Sequence, residues 1–444
     1  MKLENLTFRG GVNVPHFKDL TDNLSIEKAK EPAFVIIPLH QHTGAPCEPL
    51  VKVGDTVKVG QKIGQSEAFV SAPVHSSVSG IVKGITTMPI PTGLTVNCVI
   101  IESDGKNELH ESIKPKGNLD DLSSKEIINI IKEAGITGMG GASFPTHVKL
   151  LPPSEKKIDT ILINGAECEP YLTADHRIMI EEPEKIIFGL KAIMKAVGVE
   201  KGIIGIEKNK PDAIIALREA SKDEKSISVA SLKVKYPQGD EKRLINAILG
   251  RVVPSGGLPM DVGAVVCNIS TTKAIAEAIL EGKPLFERIT TVTGHGIKEP
   301  KNLLVKIGTP FKDLLEQCGG FNEGSPGKIL MGGPMMGLSQ YSIDVPVIKG
   351  TGGILILTEE EAKPEPVQPC IRCGKCVEVC PVKLQPLYIS GFALKKNFDK
   401  AEDFHALDCV ECGACSYICP AKRPLAESIR MAKREILAKR KRNS

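Results

Sequence analysis

The C-terminal part of the chain contains the stretch Cys370-Ile-Arg-Cys373-Gly-Lys-Cys376-Val-Glu-Val-Cys380-Pro381, and the same spacing returns in Cys409-Val-Glu-Cys412-Gly-Ala-Cys415-Ser-Tyr-Ile-Cys419-Pro420. This C-x2-C-x2-C-x3-C-P spacing lets one loop wrap three corners of a cuboid [4Fe–4S] cluster, while the fourth cysteine of each run ligates the other cluster. The two runs therefore predict two clusters. The expected ligand sets are Cys370, Cys373, Cys376 and Cys419 for one cluster, and Cys409, Cys412, Cys415 and Cys380 for the other.

Two other uses of these cysteines are less well supported. Zinc also binds pairs of C-x2-C motifs, but it needs only two such pairs, and here two complete quartets are each followed by proline. A disulfide framework is disfavoured because the eight cysteines crowd into two short runs. The remaining cysteines are scattered and odd in number, which is typical of reduced, buried thiols in a cytosolic protein: Cys47, Cys98, Cys168, Cys267 and Cys318.

Composition limits the class of protein. A chain of 444 residues with 41% hydrophobic and 25% charged residues is expected to form several globular domains. The formal net charge of +4 is too small to indicate nucleic-acid binding. The first residues have no apolar core of a signal peptide, and no run of about 18 apolar residues occurs, so any membrane association is expected to depend on partners.

Periodicity and punctuation divide the chain into a multidomain α/β plus β architecture. Short strands separated by glycine and proline come first, then alternating helices and strands that predict a mainly parallel sheet covered on both faces, then a second set of strands. The predicted divisions are an N-terminal arm (1–32), a barrel-sandwich hybrid domain (33–110), a Rossmann-like α/β domain (118–285), an SLBB-like β-grasp domain (286–358) and a ferredoxin-type domain with a basic tail (365–444).

The barrel domain resembles the biotinyl and lipoyl carrier domains. Those carriers present a modifiable lysine at a hairpin tip, whereas this chain has Pro73-Val-His-Ser76 at that place. A swinging-arm role is therefore disfavoured, and a docking or scaffold role is expected. His75 is expected to be exposed and solvated at the tip.

A second chemical site is predicted in the α/β domain. The stretch Gly138-Met-Gly-Gly-Ala-Ser-Phe-Pro-Thr-His-Val-Lys149 has three glycines whose backbone N–H groups can approach a phosphate closely, and Lys149 adds a cation. The strict dinucleotide pattern G-x-G-x-x-G is absent. After the next strand, Asn164-Gly-Ala-Glu-Cys-Glu-Pro170 places an amide and two carboxylates where ligands of open α/β sheets bind. The alternative for these carboxylates is N-capping and turn formation.

Four segments resemble the flavoprotein subunit of respiratory complex I, in the same order. Gly138–Lys149 is similar to its flavin loop G-R-G-G-A-G-F-P-T-G-L-K-W, and Asn164–Pro170 to its segment N-A-D-E-S-E-P. Tyr236–Glu241 resembles Y-x-x-G-E-E, and Asn268 falls on N-N-V-E-T. This chain departs from the pattern where Met139 replaces arginine, Ala166 aspartate and Ser270 glutamate.

The resemblance implies the following cofactor contacts. Residues expected to cradle FMN are Gly138, Gly140, Gly141, Ala142 and Lys149. Residues expected to line the flavin and its ribityl phosphate are Asn164, Glu167, Glu169, Gly239, Asp240, Glu241 and Asn268. Phe144 and Tyr236 are expected near the nicotinamide of NAD(H). No residue is expected to act as a catalytic acid or base.

The order of domains resembles the C-subunit family of Rnf complexes, which are membrane-bound, ion-translocating ferredoxin:NAD oxidoreductases. The resemblance implies a peripheral subunit at the cytoplasmic face of the membrane that exchanges electrons between NAD(H), FMN, two [4Fe–4S] clusters and membrane-embedded partner subunits. It leaves open the direction of electron flow and whether the ion is Na⁺ or H⁺. Two alternatives remain, namely a soluble flavin and iron–sulfur cobalamin reductase, and an electron-relay scaffold subunit without flavin.

Overall fold

The N-terminal residues, predicted as an arm, pack along other domains in the computed structural model, which describes residues 3–443. Val12 and Val14 are buried in one apolar cluster with residues of the second domain (118–285) and of the cysteine-rich domain (365–444). The segment ends in the strand β1 (Ile26–Lys28), which forms the edge of a sheet in the third domain (286–358). This segment therefore joins domains that are far apart in sequence.

Residues 33–110 form two small sheets, as their alternating pattern predicts. Apolar side chains meet between the sheets, where Val35, Ile63 and Val99 are fully buried. Neighbouring strands in both sheets are antiparallel. The strands are β2 (Phe34–Pro38), β3 (Glu48–Pro49), β4 (Thr56–Val57), β5 (Lys62–Gln65), β6 (Val74–His75), β7 (Gly80–Pro89) and β8 (Thr95–Ser103).

The hairpin tip of this barrel is buried, so the expectation of a solvated His75 is wrong. His75 is only 5% exposed, and Ser76 has no exposed surface. The carbonyl of Pro73 accepts a hydrogen bond from the ammonium of Lys349 at 2.7 Å, and it also lies against Gly135, where an added Cβ would be 2.3 Å from its oxygen. The tip is thus held between the second and third domains, which agrees with a scaffold role.

Residues 118–285 form a four-stranded, entirely parallel sheet with helices on both faces, as predicted. Helix boundaries follow local chemistry. Ser123 and Glu126 form a capping box at the start of one helix, and another begins at Pro183 and is capped by Gly198 in the left-handed conformation. The elements are α1 (Ser124–Glu133), α2 (Thr146–Lys149), β9 (Thr160–Gly165), α3 (Ala174–Glu181), α4 (Pro183–Val197), β10 (Gly202–Glu207), α5 (Pro211–Ala220), β11 (Ile227–Leu232), α6 (Glu241–Leu249), β12 (Ala264–Asn268) and α7 (Ile269–Leu280). Single 3₁₀ turns occupy Leu119–Asp121 and Pro259–Val262.

The strand order β11-β10-β9-β12 creates a switch point beside β9. From β9 the chain moves to β10 and β11 on one side, and then crosses to β12 on the other side. Ligands of open α/β sheets bind in the crevice at the carboxyl ends of such strands. Asn268 is the last residue of β12, and Asn164, the last but one of β9, is its direct neighbour in the ladder, so the two flank this crevice.

The third domain is a six-stranded mixed sheet that includes the N-terminal β1. Its elements are β13 (Glu287–Thr293), β14 (Lys301–Lys306), α8 (Phe311–Gln317), β15 (Lys328–Met331), β16 (Leu338–Ser339) and β17 (Gly353–Leu357). The strand order is β1-β14-β13-β17-β15-β16. Phe311, the first residue of α8, is fully buried in the apolar core of this domain.

The cysteine-rich domain consists of short helices after each cysteine loop and one long terminal helix. The segment between the two cysteine runs forms two α-helices rather than one, because Lys396 adopts a left-handed conformation with φ of 56°. Within residues 3–443, no helix is both long and apolar enough to cross a membrane. The elements are α9 (Glu359–Ala362) in the linker, α10 (Lys375–Glu378), α11 (Pro386–Leu394), α12 (Phe398–Asp403), a 3₁₀ turn (Ala406–Asp408), α13 (Ala414–Tyr417) and α14 (Leu425–Asn443).

Lys349 joins the first three domains from a fully buried position. Its ammonium donates to the carbonyl of Pro73 in the barrel at 2.7 Å and to the carbonyl of Gly135 in the α/β domain at 2.6 Å. Its backbone N–H donates to Gln41 of the barrel at 3.0 Å. Burial lowers the pKa of Lys349 to about 8, so hydrogen bonds to these carbonyls must offset the desolvation of a cation.

We expect Lys349→Met to destabilise the docking of the barrel by about 2–4 kcal/mol, because two buried carbonyls lose their donor while the side-chain volume is retained. The midpoint of thermal unfolding should fall, and the rate of limited proteolysis in the 104–118 connection should rise. Lys58→Met is the control, since Lys58 forms only an exposed ion pair with Glu108 and its loss should leave both unchanged. Equal unfolding midpoints and proteolysis rates in Lys349→Met and Lys58→Met would contradict the role of Lys349 in joining the domains.

Candidate functional site

The crevice beside β9 brings together residues from all four predicted segments. The side-chain amide of Asn164 donates to the carbonyl of Gly239 at 2.7 Å, which ties the end of β9 to the segment before α6. An added Cβ at Gly239 would lie 3.2 Å from the Cys168 sulfur. Gly239 therefore allows a close approach between these segments that a larger residue would hinder.

The glycine-rich loop runs along the open side of the same crevice. Gly140 lies against Asn268, where an added Cβ would be 2.9 Å from the amide nitrogen, so this position requires glycine. Gly141 has no atom within 4 Å of an added Cβ. Gly138 donates to the carbonyl of Phe144 at 2.9 Å, which closes the loop.

The loop satisfies the basic requirement for binding a phosphate group. Gly140, Gly141 and Ala142 are exposed, and within residues 3–443 their backbone N–H groups donate no hydrogen bond. Backbone N–H groups that converge without partners suit a phosphate oxyanion. The donor set therefore fits the phosphate of FMN, and Phe144 stands half-buried at the end of the loop.

The cation predicted for this site is already engaged. The ammonium of Lys149, at the end of α2, lies 3.0 Å from a carboxylate oxygen of Glu241, the first residue of α6, and both side chains are about one-third exposed. Asp240 caps α6 by accepting from the N–H of Arg243 at 3.0 Å. Burial raises the pKa of Asp240. Lys149 and Glu241 thus lie side by side at the crevice, whereas the carboxylate of Asp240 has a local capping role.

Sequence reasoning missed Asp175, which organises the far wall of the crevice. Its carboxylate accepts from the amide of Asn268 at 2.6 Å and from the hydroxyl of Ser270 at 2.5 Å. Ser270 stands where the related flavoproteins have glutamate, so the acid at this wall is supplied instead from the first turn of α3. The only local signal was an acidic residue near a helix start, which is common and unspecific.

Glu167 has the capping geometry that was the alternative to a flavin contact. Its carboxylate accepts from the backbone N–H of Asp175 at 2.7 Å and of His176 at 3.2 Å, at the start of α3. Burial raises the pKa of Glu167 to about 7, although the nearby ammonium of Lys18 acts in the opposite direction. Lys18 of the N-terminal segment donates to the carbonyl of Glu169 at 3.0 Å. Direct contact of Glu167 with flavin remains a prediction.

Glu169 links the α/β domain to a loop of the third domain. Its carboxylate accepts from the N–H groups of Met335 at 3.1 Å and Met336 at 2.9 Å. The loop can approach this closely because Gly333 has no side chain, since an added Cβ would lie 2.3 Å from the carboxylate. Burial raises the pKa of Glu169 to about 7.

Tyr236 connects the crevice to the cysteine-rich domain. Its hydroxyl donates to the carbonyl of Cys412 at 2.8 Å, and only 1% of the residue is exposed. Burial, with the carboxylate of Glu169 nearby, raises the pKa of Tyr236, so the hydroxyl keeps its proton. The predicted contact of Tyr236 with nicotinamide is untested and remains a prediction.

The structure brings the cysteines together in the predicted combinations. One pocket is lined by Cys370, Cys373 and Cys376 of the first run and by Cys419 of the second run. This is the outer set, because Cys370 and Cys373 are exposed.

The inner set comprises Cys409, Cys412, Cys415 and Cys380. Burial and the neighbouring sulfurs of the other three raise the pKa of Cys415. Backbone N–H groups already point at two sulfurs, since Leu384 donates to Cys380 at 3.2 Å and Glu411 to Cys409 at 3.4 Å. Such N–H···S bonds stabilise thiolate ligands and adjust the cluster potential.

Comparison with protein families assigns each part of the chain. Residues 6–106 match the family described as the RnfC barrel sandwich hybrid domain, and residues 131–277 match the Nuo51 FMN-binding domain. Residues 289–339 match the SLBB domain, and residues 369–422 match a 4Fe-4S dicluster domain. The predicted fold class is confirmed, and FMN and two [4Fe–4S] clusters are the cofactors of these domains.

Curated relatives match over most or all of the chain. The C subunit of the Na⁺-translocating ferredoxin:NAD⁺ oxidoreductase complex of Acetobacterium woodii is 52% identical over 444 residues, the full length of both chains. The C subunit of the proton-translocating complex of Clostridium ljungdahlii is 52% identical over 97% of this chain and 94% of the relative. The C subunit of the ion-translocating oxidoreductase complex of Rhodobacter capsulatus is 41% identical over 87% and 75%. The chain therefore belongs to the Rnf family of C subunits of ion-translocating ferredoxin:NAD⁺ oxidoreductase complexes.

Proposed function

We propose that this chain transfers electrons between NAD(H) and the other subunits of an ion-translocating membrane complex. It does so through one FMN in the crevice beside β9 and two [4Fe–4S] clusters in the cysteine sets. Bound FMN can exchange two electrons with a nicotinamide as hydride and one electron at a time with an iron–sulfur cluster, which is the conversion that this combination of cofactors requires.

The residues of the chain have positioning roles in this function. The free N–H groups of Gly140, Gly141 and Ala142 would hold the phosphate, and the Asn268–Asp175 hydrogen bond fixes the wall behind them. The Lys149–Glu241 pair would contribute a polar edge without a large net charge. No proton-transferring side chain would be needed, because bound FMN would supply hydride exchange with the nicotinamide.

The segment 236–239 is the observation that carries this proposal. At one end, the side-chain amide of Asn164 in the crevice donates to the carbonyl of Gly239 at 2.7 Å. At the other end, the hydroxyl of Tyr236 donates to the carbonyl of Cys412, in the inner set, at 2.8 Å. Four residues thus connect the proposed flavin site to a cluster ligand. Because electron tunnelling weakens steeply with distance, a cluster held by the inner set would exchange electrons with the flavin, and a cluster held by the outer set would follow it.

Partners and location follow from family membership. Relatives are named as C subunits of ion-translocating complexes, so we assign membrane-embedded subunits as the electron-transfer partners of this chain. Attachment would be peripheral, through those partners, at the cytoplasmic face where NAD(H) is available. The ion, Na⁺ or H⁺, would be handled by the partners.

We expect the anaerobically purified chain with about eight irons to contain FMN whose absorbance is bleached by NADH. Gly140→Ala should weaken FMN binding at least tenfold (about 1.4 kcal/mol), because the new methyl group displaces Asn268. Gly391→Ala is the matched control, since Gly391 has open space around it and should leave flavin content unchanged. A protein that holds iron but neither flavin nor NADH reactivity would support the relay alternative, and NADH-dependent cobalamin reduction would support the cobalamin reductase.

We expect Tyr236→Phe to destabilise the protein by about 1–2 kcal/mol, because the buried carbonyl of Cys412 loses its donor while the ring packing is retained. The same change should shift the midpoint potential of the inner cluster, which is measurable by redox titration with electron paramagnetic resonance. Tyr341→Phe is the control, as that side chain is 76% exposed and should alter neither quantity. An unchanged potential in Tyr236→Phe would argue against electrostatic coupling through this hydroxyl.

Glu169 should make stability depend on pH. Its pKa is about 7 in the folded protein and 4.5 in the unfolded chain, so the folded state binds more protons between these values. The contribution of Glu169 to the free energy of unfolding is therefore largest below pH 4.5. That free energy falls by up to about 3 kcal/mol as the pH rises from 4.5 through 7. Glu169→Gln should remove that loss, so its stability relative to the native protein should increase from pH 5 to pH 8 in urea titrations. The exposed Glu200→Gln serves as the reference, and a pH-independent difference for Glu169→Gln would contradict the assignment.

A further inference from the structure

Hydrogen bonds from the barrel domain reach the glycine-rich loop. The hydroxyl of Thr43 donates to the carbonyl of Ala142 at 2.8 Å, and the backbone N–H of Thr43 donates to the carbonyl of Ser143 at 3.2 Å. Two successive carbonyls of the loop are thus held by a single residue of another domain. The shape of the loop is therefore not set by the α/β domain alone.

Ser143 adopts a backbone conformation that serine normally avoids. Its φ is 51°, in the left-handed region, where the Cβ of an L-residue comes too close to the following carbonyl oxygen. The flavin loop G-R-G-G-A-G-F-P-T-G-L-K-W has glycine at this position, and glycine enters the left-handed region without that steric cost. Since this chain has serine instead, contacts from outside the loop must hold the backbone in this conformation.

The peptide group between Ala142 and Ser143 shows what the contact with Thr43 does to the loop. Because the peptide group is planar and trans, its C=O and its N–H point in opposite directions. Thr43 holds the carbonyl on the barrel side, so the N–H of Ser143 faces away from the barrel. In the part of the chain that the structure describes, this N–H donates no hydrogen bond, as is also true of residues 140–142. Ser143 thus offers a fourth backbone donor beside the three proposed for the phosphate.

Thr43 can hold the loop because the barrel in turn holds Thr43. The backbone N–H of Ala45 donates to the carbonyl of Val70 at 2.9 Å, and the N–H of Ala72 donates to the ring nitrogen Nε2 of His42 at 3.2 Å. Burial lowers the pKa of His42 to about 4, so the ring is neutral at pH 7 and can accept this hydrogen bond. Residues on both sides of Thr43 are thereby tied to a neighbouring loop of the barrel.

The third domain supports the same arrangement. Gly350 lies against Ser143, where an added Cβ would be 2.8 Å from the hydroxyl oxygen. The adjacent Lys349 donates its backbone N–H at 3.0 Å to the side chain of Gln41, two residues before Thr43. The left-handed Ser143 therefore lies where three domains meet.

We propose that the barrel domain sets the glycine-rich loop in its phosphate-binding shape, with Thr43 as the positioning residue that keeps Ser143 in the left-handed conformation. The inference rests on the proposed function for the identity of the bound group. It adds a role for a barrel whose hairpin tip carries no modifiable lysine. The group that this loop recognises is the phosphomonoester of FMN, so the ring system of the flavin should not depend on Thr43.

Flavin binding by the full-length, iron-loaded chain after removal of its flavin tests this role by calorimetric titration. Thr43→Val should weaken FMN binding about fivefold, because one hydrogen bond to the loop is lost, and it should leave the affinity for riboflavin, which lacks the phosphate, within about twofold. Thr43→Ser keeps the hydroxyl and should bind FMN as the native chain does. Thr87→Val is the matched control, since the hydroxyl of Thr87 donates to Asn97 at 2.9 Å on the exposed surface of the barrel. Equal losses of FMN and riboflavin affinity in Thr43→Val, or no loss of either, would overturn the proposal.

A double-mutant cycle with Ser143→Gly tests why the contact matters. Glycine adopts the left-handed conformation freely, so the loop should depend less on the hydrogen bond from Thr43. In the Ser143→Gly background, Thr43→Val should weaken FMN binding by less than about twofold. An equal loss in both backgrounds would show that Thr43 does not act by holding Ser143, and it would overturn the assignment.

Amide hydrogen exchange separates this inference from the proposed function. The N–H of Gly138 closes the loop by donating to the carbonyl of Phe144 at 2.9 Å. In the flavin-free chain, exchange at Gly138 should be about fivefold faster in Thr43→Val than in the native protein, and this result needs no bound flavin. A chain that binds no flavin but shows this change would lose the proposed function and keep the role of Thr43. A chain that binds FMN, but in which Thr43→Val alters neither exchange nor affinity, would keep the proposed function and lose the role of Thr43.

Discussion

Electrons cross protein only over short distances, and the burial of one cysteine loop against the flavin domain would keep the inner cluster close to the flavin. Tyr236, Met335 and the N-terminal segment all pack against the loop that carries Cys412. Three domains are thereby held in one arrangement. The buried ammonium of Lys349 also fixes the arrangement of domains, because it donates to carbonyls of both the barrel and the α/β domain.

Burial also separates the two cysteine sets chemically, although their cysteine spacing is the same. In the inner set Cys380, Cys412 and Cys415 are buried, and Val12 and Val14 pack in the apolar cluster that contains Cys412. The outer set faces solvent at Cys370 and Cys373. Solvent exposure and N–H···S bonding are main determinants of cluster potential, so the two clusters are expected to differ in potential because of their surroundings rather than their ligands.

The features that could be predicted from sequence are those encoded over short spans. Cysteine spacing indicated a domain with two [4Fe–4S] clusters, and the alternation of elements indicated a parallel sheet, whose switch point lies between Asn164 and Asn268. Features that depend on pairs distant in sequence could not be predicted. Asp175 reaches Asn268 across 93 positions, and Lys349 reaches Pro73 across 276. For the same reason His75 was expected in solvent, since nothing near it in sequence reveals the domain that covers it.

The exchange of ligands between the two runs has a consequence for biosynthesis. Cys380 belongs to the set completed by Cys409, Cys412 and Cys415, and Cys419 completes the set begun by Cys370. Neither set can be completed before the chain has been made as far as the second cysteine run. The N-terminal segment can be seated only after the first run exists, because the N–H of Gly11 donates to the carbonyl of Val379. A chain interrupted between the two runs would hold three ligands of the outer set but only one of the inner set, and it would complete neither cluster.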